Sequence, residues 1–342
     1  MKNIKELALE DLKKVFLGWQ KDAFRATQVF SWIYKKGASS FVQMTNLPQD
    51  LRDKLKENFC LSVLKIAKQL NSIDAAEKFL FSTQDGHYIE GVRIPAKGRI
   101  TACISSQVGC KFACSFCASG LAGFKRNLSC AEILDQICLL NNNSGDRLTH
   151  VVFMGTGEPL DNYQNVMRAV RIINSKEGFN IAARRITIST CGVIPGMKKL
   201  ENEGLQIELS ISLHSADNKI RSQIVPVNKK YPIDELMLAC KEYIQKTGRQ
   251  ITFEYVLLEG LNSELSDAQK LVKILKGLKL CKVNLIVFNP VKELNVGPPA
   301  KEKAVLFKKY LLKAGIPATI RKPRGQDIEA ACGQLRLGYV KG

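Results

Sequence analysis

The run Cys110-Lys111-Phe112-Ala113-Cys114-Ser115-Phe116-Cys117 places three thiols in the spacing C-x3-C-x2-C, with an aromatic residue before the third. Three thiolates on one tight loop can ligate three irons of a four-iron cubane, leaving the fourth iron without a protein ligand. A structural zinc site would need a fourth donor, ordinarily from a second paired Cys or His element. No such element is present, and the three histidines, His87, His150 and His214, stand isolated in the chain. The spacing therefore favours an iron–sulfur centre with one open coordination position. A zinc-stabilised, non-catalytic RNA-binding protein stays open as the reading from another functional class. A second candidate is Met154-Gly155-Thr156-Gly157-Glu158-Pro159. Its glycines would let a ligand approach the backbone, and Glu158 would complement a cationic group. Taken alone, this motif fits an ordinary glycine-rich turn equally well.

Both motifs need a scaffold, and the periodicity supplies one. From residue 99 strand-like runs at 100–108, 150–154, 185–190, 207–214, 251–258 and 283–288 alternate with helical patterns at 131–141, 163–175, 233–247 and 267–278. Ser129 and Glu132 form a capping-box pair opening the first helix. Alternation of this kind predicts an α/β fold with a parallel sheet, an open partial (β/α)6 TIM-like barrel or a doubly wound sheet. Each motif follows a strand, where barrels carry their chemistry. Residues 1–65 read as a small helical accessory domain, with helices at 7–17, 24–34 and from 49 to about 55, and with a possible contact to RNA. Residues 66–98 read as a β-rich connecting segment in which Asp85-Gly86 turns between two strands. The core then runs over 99–342.

Composition narrows the setting. The chain of 342 residues carries 51 basic and 32 acidic side chains, a net charge of +19. Such a surplus attracts polyanions, nucleic acid foremost. Its clusters Arg184-Arg185, Lys229-Lys230 and Arg321-Lys322-Pro323-Arg324 suit phosphate contacts at several points of the chain. Eleven cysteines in uneven spacing suggest metal or thiol chemistry in a reducing compartment rather than a secreted disulfide framework. The N-terminus lacks the apolar core of a signal peptide and no run is long enough to span a bilayer, so a cytoplasmic protein without membrane association is expected.

The cysteine spacing and the Gly-Glu segment resemble those of the radical SAM superfamily, whose cluster binds S-adenosylmethionine (SAM) on its open iron and cleaves it to a 5′-deoxyadenosyl radical. Over nearly the whole length the chain resembles the RlmN family of dual-specificity adenine carbon-2 methyltransferases. The matching stretches are 103–117 (CISSQVGCKFACSFC), 123–128 (GFKRNL), 154–160 (MGTGEPL), 211–214 (ISLH), 224–231 (IVPVNKKY), 284–290 (NLIVFNP) and 321–335 with its Ala-Cys-Gly-Gln-Leu.

The resemblance implies one [4Fe-4S] cluster on Cys110, Cys114 and Cys117, and two SAM molecules per turnover. SAM contacts would be Gly157, Glu158, Ser189, Ser212, Leu213, His214 and Asn289. Cys332 would accept a methyl group from one SAM. The radical from the second would take hydrogen from that S-methyl group, and the methylene radical would add to carbon 2 of adenine. Glu90 would remove the carbon-2 proton, and Cys103 would attack Cys332 to release the base through a transient disulfide. By the residues alone Cys103 and Cys332 fit core packing and Glu90 a solvated strand position, so these roles come from the resemblance. Cys60, Cys130, Cys138, Cys191, Cys240 and Cys281 read as small apolar packing.

The implied substrates are adenosine 2503 of 23S rRNA, at the peptidyl transferase centre, and adenosine 37 of a subset of tRNAs. A reduced flavodoxin or ferredoxin would supply electrons, and the chain would act as a monomer. The Cfr-type carbon-8 methyltransferase, which confers antibiotic resistance, shares the cluster cysteines and paired thiols and remains the nearest alternative. Gly157-Glu158-Pro159 and the long helical N-terminal segment favour carbon 2.

Overall fold

A computed structural model describes every residue except Ala122, 143–145, 291–295 and 336–342. The last stretch of the expected core thus lies outside the described residues. The central feature is one ten-stranded open sheet. Its strands in chain order are β1 (Lys65–Asn71), β2 (Glu77–Ser82), β3 (Tyr88–Ala96), β4 (Arg99–Cys103), β5 (His150–Phe153), β6 (Ile186–Thr190), β7 (Glu208–Ser212), β8 (Ile251–Leu257), β9 (Cys281–Val287) and β10 (Ala318–Ile320). They lie side by side in this order, antiparallel from β1 to β4 and parallel from β4 to β10.

The parallel part is the partial barrel expected from the alternation, with a short seventh strand, β10, at its edge. β8 is buried at every position. A strand covered on both faces must be an almost continuous apolar run, and ITFEYVL is one, broken only by Thr252 and Glu254. Helices fill the crossovers. The helix Tyr163–Asn174 buries Val166, Met167, Val170 and Ile173 on one face, and the helix Ile233–Thr247 ends where Gly248 takes a left-handed φ of 63°. Ser129 and Glu132 close the expected capping box: the Ser129 amide donates to Glu132 Oε2 at 2.9 Å and the Glu132 amide to Ser129 Oγ at 3.2 Å.

The strand expected at 100–108 splits in two. After Cys103 the backbone finds partners outside the ladder: the Ser105 amide donates to Gln136 Oε1 at 2.8 Å and the Ser106 amide to the Thr156 carbonyl at 2.9 Å. Residues Gln107–Gly109 then pair with Phe124–Asn127 in a separate ribbon that holds the cysteine loop. The antiparallel strands β1–β3 extend the main sheet, and Asp85-Gly86 makes the turn between β2 and β3, with Gly86 at φ 80°.

The helices Leu9–Gly18, Ala23–Tyr34 and Gln49–Asn58 share one apolar core with the barrel. Their seam holds a buried ion pair between Lys5 and Asp135, on the helix Cys130–Asn142. Asp135 also accepts the Val63 amide at 2.6 Å, the Leu64 amide at 3.1 Å and the Ser62 hydroxyl at 3.0 Å. Among the described residues no helix is long and apolar enough to cross a membrane.

Candidate functional site

Three segments meet beyond the C-terminal ends of the parallel strands. The first is the cysteine loop. It begins at Gly109, whose φ is 75° and where a Cβ would lie 1.7 Å from the Gly123 carbonyl oxygen, so only glycine allows the chain to turn into Cys110. The second is the loop after β5. Gly157, at φ 100°, could carry no Cβ without meeting the Gln107 side chain at 2.5 Å. Its glycine therefore answers to packing within the protein as well as to any ligand. Glu158, 4% exposed, accepts the Leu160 amide at 3.0 Å and the Cys191 amide at 2.8 Å, tying the loops after β5 and β6 together. Burial raises its carboxyl pKa against those hydrogen bonds.

The third segment is the C-terminal run bearing Cys332. The Ala118 amide donates to the Gly333 carbonyl at 2.8 Å, Ser119 Oγ to the Leu335 carbonyl at 2.7 Å, and Asn289 Nδ2 to the Cys332 carbonyl at 3.1 Å. These bonds fasten Cys332 between the cysteine loop and the end of β9.

Cys110, Cys114 and Cys117 line one cavity of about 160 Å³, walled by Phe112 and Phe116. All three are free thiols. Among the described residues no three His, Cys, Asp or Glu side chains form a site for a single metal ion. Three thiols of one loop, spread around a cavity rather than gathered at one point, suit the three ligated corners of a cubane. Burial raises each thiol's pKa, to about 12 at Cys110. The cysteines are thus neutral until a metal displaces their protons. The residues present fit a [4Fe-4S] cluster.

Gly157, Glu158, Ser189, Ser212, His214 and Asn289 line the same cavity. Leu213 does not: its side chain is fully buried in the main core, its carbonyl accepts from Arg221 Nε at 3.0 Å and its amide donates to the Glu254 carbonyl at 3.1 Å. His214 sits at a left-handed φ of 58° with its ring edge-on to Phe116, centroids 4.6 Å apart. Its Nδ1 accepts the Val256 amide at 3.0 Å. Burial, and then the Arg221 charge, hold its pKa down to about 3, so the ring is neutral and its proton is assigned to Nε2.

A larger cavity of about 870 Å³ occupies the barrel interior and opens at the N-terminal ends of the strands. Arg99, Arg184, Arg185, Lys282, Lys322 and Arg324 line it. Their field reaches His150, whose pKa is lowered to about 4 by burial and then by Arg99 and Arg185. Cys103 lines this cavity, whereas Cys332 lines both. The two cavities share Met154, Glu254, Ile286, Asn289, Arg321 and Cys332, so they adjoin along the barrel axis, and these residues mark the passage between them. Burial, and then the adjacent Cys332, push the Cys103 thiol up to about 12, with Arg321 opposing.

Glu90 lines neither cavity. It is 5% exposed, and its Oε1 lies 3.0 Å from Lys78 Nζ, which also donates to the Glu329 carbonyl at 3.1 Å. Glu90 shares its strand face with Val92, which packs with Cys103, Ala330 and Leu335. A solvated strand position, the reading of Glu90 from its residue type alone, is therefore replaced by a buried ion pair under the Cys332 segment.

Several residues escaped the sequence reading. Arg221, fully buried, donates to the carbonyls of Cys191 at 2.8 Å and Leu213 at 3.0 Å and to Asn228 Oδ1 at 2.8 Å, stapling the loops after β6 and β7. Cys191, expected as apolar filler, lines the cluster cavity. Arg321, expected at a phosphate with its basic neighbours, turns inward instead. Its pKa is raised by Cys332 first, with Glu254 and Cys103 adding to the effect against burial. Of the other clusters, Lys322 and Arg324 stay at the cavity mouth with Arg184-Arg185, and Lys229-Lys230 lie elsewhere. Glu254 and Arg321 had a legible signal, one as a lone carboxylate in a buried strand and the other as a cation directly after β10.

With this geometry in place, comparison with known proteins decides the family. The profile "Ribosomal RNA large subunit methyltransferase N-terminal domain" matches residues 2–61, and that of the radical SAM superfamily matches residues 104–272. A relative from Thermoanaerobacter sp., described as "Probable dual-specificity RNA methyltransferase RlmN", is 45% identical over 342 residues, 100% of this chain and 99% of its own length. This chain belongs to the RlmN family of radical SAM RNA methyltransferases. A Thermotoga neapolitana relative of the same description is 46% identical over 338 residues, 98% of each chain. The crystal structure of a radical SAM methyltransferase from Sphaerobacter thermophilus superposes with a TM-score of 0.95 at 42% identity, covering 98% of this chain and 100% of that one. RlmN membership carries the [4Fe-4S] cluster and SAM as cofactors.

Proposed function

We propose that this RlmN-family protein methylates carbon 2 of adenosine 2503 in 23S rRNA and of adenosine 37 in a subset of tRNAs. One observation carries the reading: Cys332 stands where the cluster cavity and the basic cavity join, with Cys103 beside it. A thiol so placed can receive a group from one side and deliver it to a base arriving from the other. Carbon 2 of adenine lies between two ring nitrogens and is electron-poor, so it does not attack a methyl sulfonium, and delivery from a protein-bound carbon suits it.

Cys110, Cys114 and Cys117 hold the cluster, and Gly157, Glu158, Ser189, Ser212, His214, Asn289 and the Leu213 backbone hold SAM. When bound, this pair supplies a methyl group from one SAM and a hydrogen-abstracting radical from a second. Cys332 carries the methyl group as S-methylcysteine and presents its carbon to the base. Glu90, held 3.0 Å from the Lys78 ammonium beneath the Cys332 segment, takes the carbon-2 proton. Once the unpaired electron of the adduct has been returned, the Cys103 thiolate bonds to the Cys332 sulfur while the sulfur–methylene bond breaks towards carbon, which takes up a proton and leaves as the methyl group of the released base. The six cations at the mouth hold RNA phosphates while the target base, unstacked, enters the barrel. A reduced flavodoxin or ferredoxin is the expected electron donor, and the enzyme is expected to act as a cytoplasmic monomer. The family match over residues 2–61 supports carbon 2 over carbon 8.

The test is nucleoside mass spectrometry of RNA from a strain lacking its own enzyme and expressing this chain. We expect 2-methyladenosine, its loss in C332A with the cluster intact, and a trapped protein–RNA adduct in C103A. Finding 8-methyladenosine alone, or full activity in C332A, overturns the reading.

A further inference from the structure

Glu254 is a carboxylate in the wrong place for a structural residue. It projects from the middle of β8, is 4% exposed, and lies in the passage shared by the two cavities. Its Oε1 accepts from Ser210 Oγ at 3.3 Å and from Asn284 Nδ2 at 3.2 Å. Its Oε2 is buried and has no hydrogen-bond partner among the described residues. The Arg321 guanidinium is near enough to act on it electrostatically, yet no ion pair is formed between them among the described residues. A buried acceptor without a donor is costly, and proteins keep such groups where a ligand supplies what is missing.

The side of the passage it faces narrows the ligand. Ser210 and Asn284, which orient the carboxylate, line the basic cavity and not the cluster cavity. Glu254 itself lines the basic cavity, and its unpartnered Oε2, once uncovered by a side-chain rotation, would need an N–H or O–H donor brought by a group that comes through the basic mouth. Adenine offers one such group on its base-pairing edge, the 6-amino group, on a ring carbon that a single nitrogen separates from carbon 2. Cys332 and Glu254 lie in the same shared stretch of the passage, as a reactive carbon and an amino group so close together on one base would require.

We infer that Glu254 is the specificity-determining residue for the target base, accepting a hydrogen bond from its 6-amino group and opposing any base that carries a 6-oxo group there. The inference rests on the reading that the chain methylates an adenine in RNA. Guanine and hypoxanthine present a carbonyl oxygen at that position, which a carboxylate repels. A site built to hydrogen-bond a donor leaves its own buried group unmatched when that donor is missing, and rejects the analogue for that reason.

The inference predicts a measurable coupling between enzyme and substrate. RNA hairpins carrying adenosine, purine riboside (no 6-substituent) or inosine at the target position are titrated against reconstituted holoenzyme by fluorescence anisotropy. The wild type should bind the adenosine hairpin about 10-fold to ~100-fold more tightly than the purine riboside hairpin, the range set by one charge-assisted hydrogen bond. E254A should bind the two alike. E254Q is isosteric, and its carbonyl oxygen stays with Ser210 and Asn284, so its NH2 faces the base. It should therefore favour inosine over adenosine, and it tests the idea even if E254A does not fold. Equal discrimination in wild type and both variants overturns the inference. So does a loss confined to S-adenosylhomocysteine affinity, because Glu254 would then read the cofactor's adenine instead. Failure of the wild type to methylate any RNA would remove the broader reading while leaving this binding comparison to stand or fall by itself.

Discussion

Replacing Arg184 and Arg185 together by alanine tests whether the basic mouth holds RNA. Arg99, Arg184, Arg185, Lys282, Lys322 and Arg324 line the cavity at the N-terminal ends of the strands. Arg249, at the same end, is engaged by Glu208, and Arg324 lies at the longer distance of 4.0 Å from Asp74, from which a phosphate would have to draw it. Each phosphate contact on single-stranded nucleic acid contributes about 0.7 to the slope of log affinity against log salt. If all six cations engage, affinity should fall by ~300-fold between roughly 50 and 200 mM salt. With two removed, the same change of salt should cost only ~50-fold, a slope smaller by about 1.4. Anisotropy titrations of a target hairpin at four or five salt concentrations would measure both slopes. Neither arginine touches the cluster cavity, so SAM binding should not follow the change. An unaltered slope in R184A/R185A would refute the assignment of this mouth to RNA.

The seam between the N-terminal helices and the barrel should be similarly open to test. D135N leaves the Lys5 ammonium buried without its carboxylate, which should cost about 3–5 kcal/mol. Both tryptophans, Trp19 and Trp32, lie on the N-terminal side of that seam. Fluorescence should therefore report urea-induced loosening ahead of the far-UV circular dichroism change, and coincident, unshifted transitions would contradict it. His214 makes stability depend on pH. Its folded pKa, about 3, is below the ordinary histidine value, so the unfolded chain takes up the proton first. Stability should be intact above pH ~6.5 and decline by up to about 1.4 kcal/mol per pH unit below it, levelling near the folded value. H214N should flatten that part of the unfolding profile, and an unchanged slope would show that His214 does not contribute.

Much of this architecture was open to reading because its causes are local. β8 and β6 are short runs of β-branched and aromatic residues, and the intervening helices repeat their apolar residues at helical spacing, so the alternating order and the parallel sheet followed. The capping box at Ser129 and Glu132 and the turn at Asp85-Gly86 depend on neighbours only a few residues apart. The break after Cys103 was not readable, because the partners that draw the backbone away, Gln136 and Thr156, belong to distant segments. The inward turn of Arg321 was equally hidden: four basic or rigid residues in a row look alike until the fold gives the first a buried surrounding.

The chain's sequence by itself determined the three-thiol loop, the strand-and-helix alternation that carries it and the excess of positive charge, since each depends on residue type and short-range spacing. Only the tertiary structure decided that Cys332 meets the cysteine loop, that Glu90 lies buried against Lys78, and that Glu254, with one carboxylate oxygen unpartnered among the described residues, lines the basic cavity. These are contacts between residues far apart in the chain, made when burying apolar strands and helices brings their polar exceptions together.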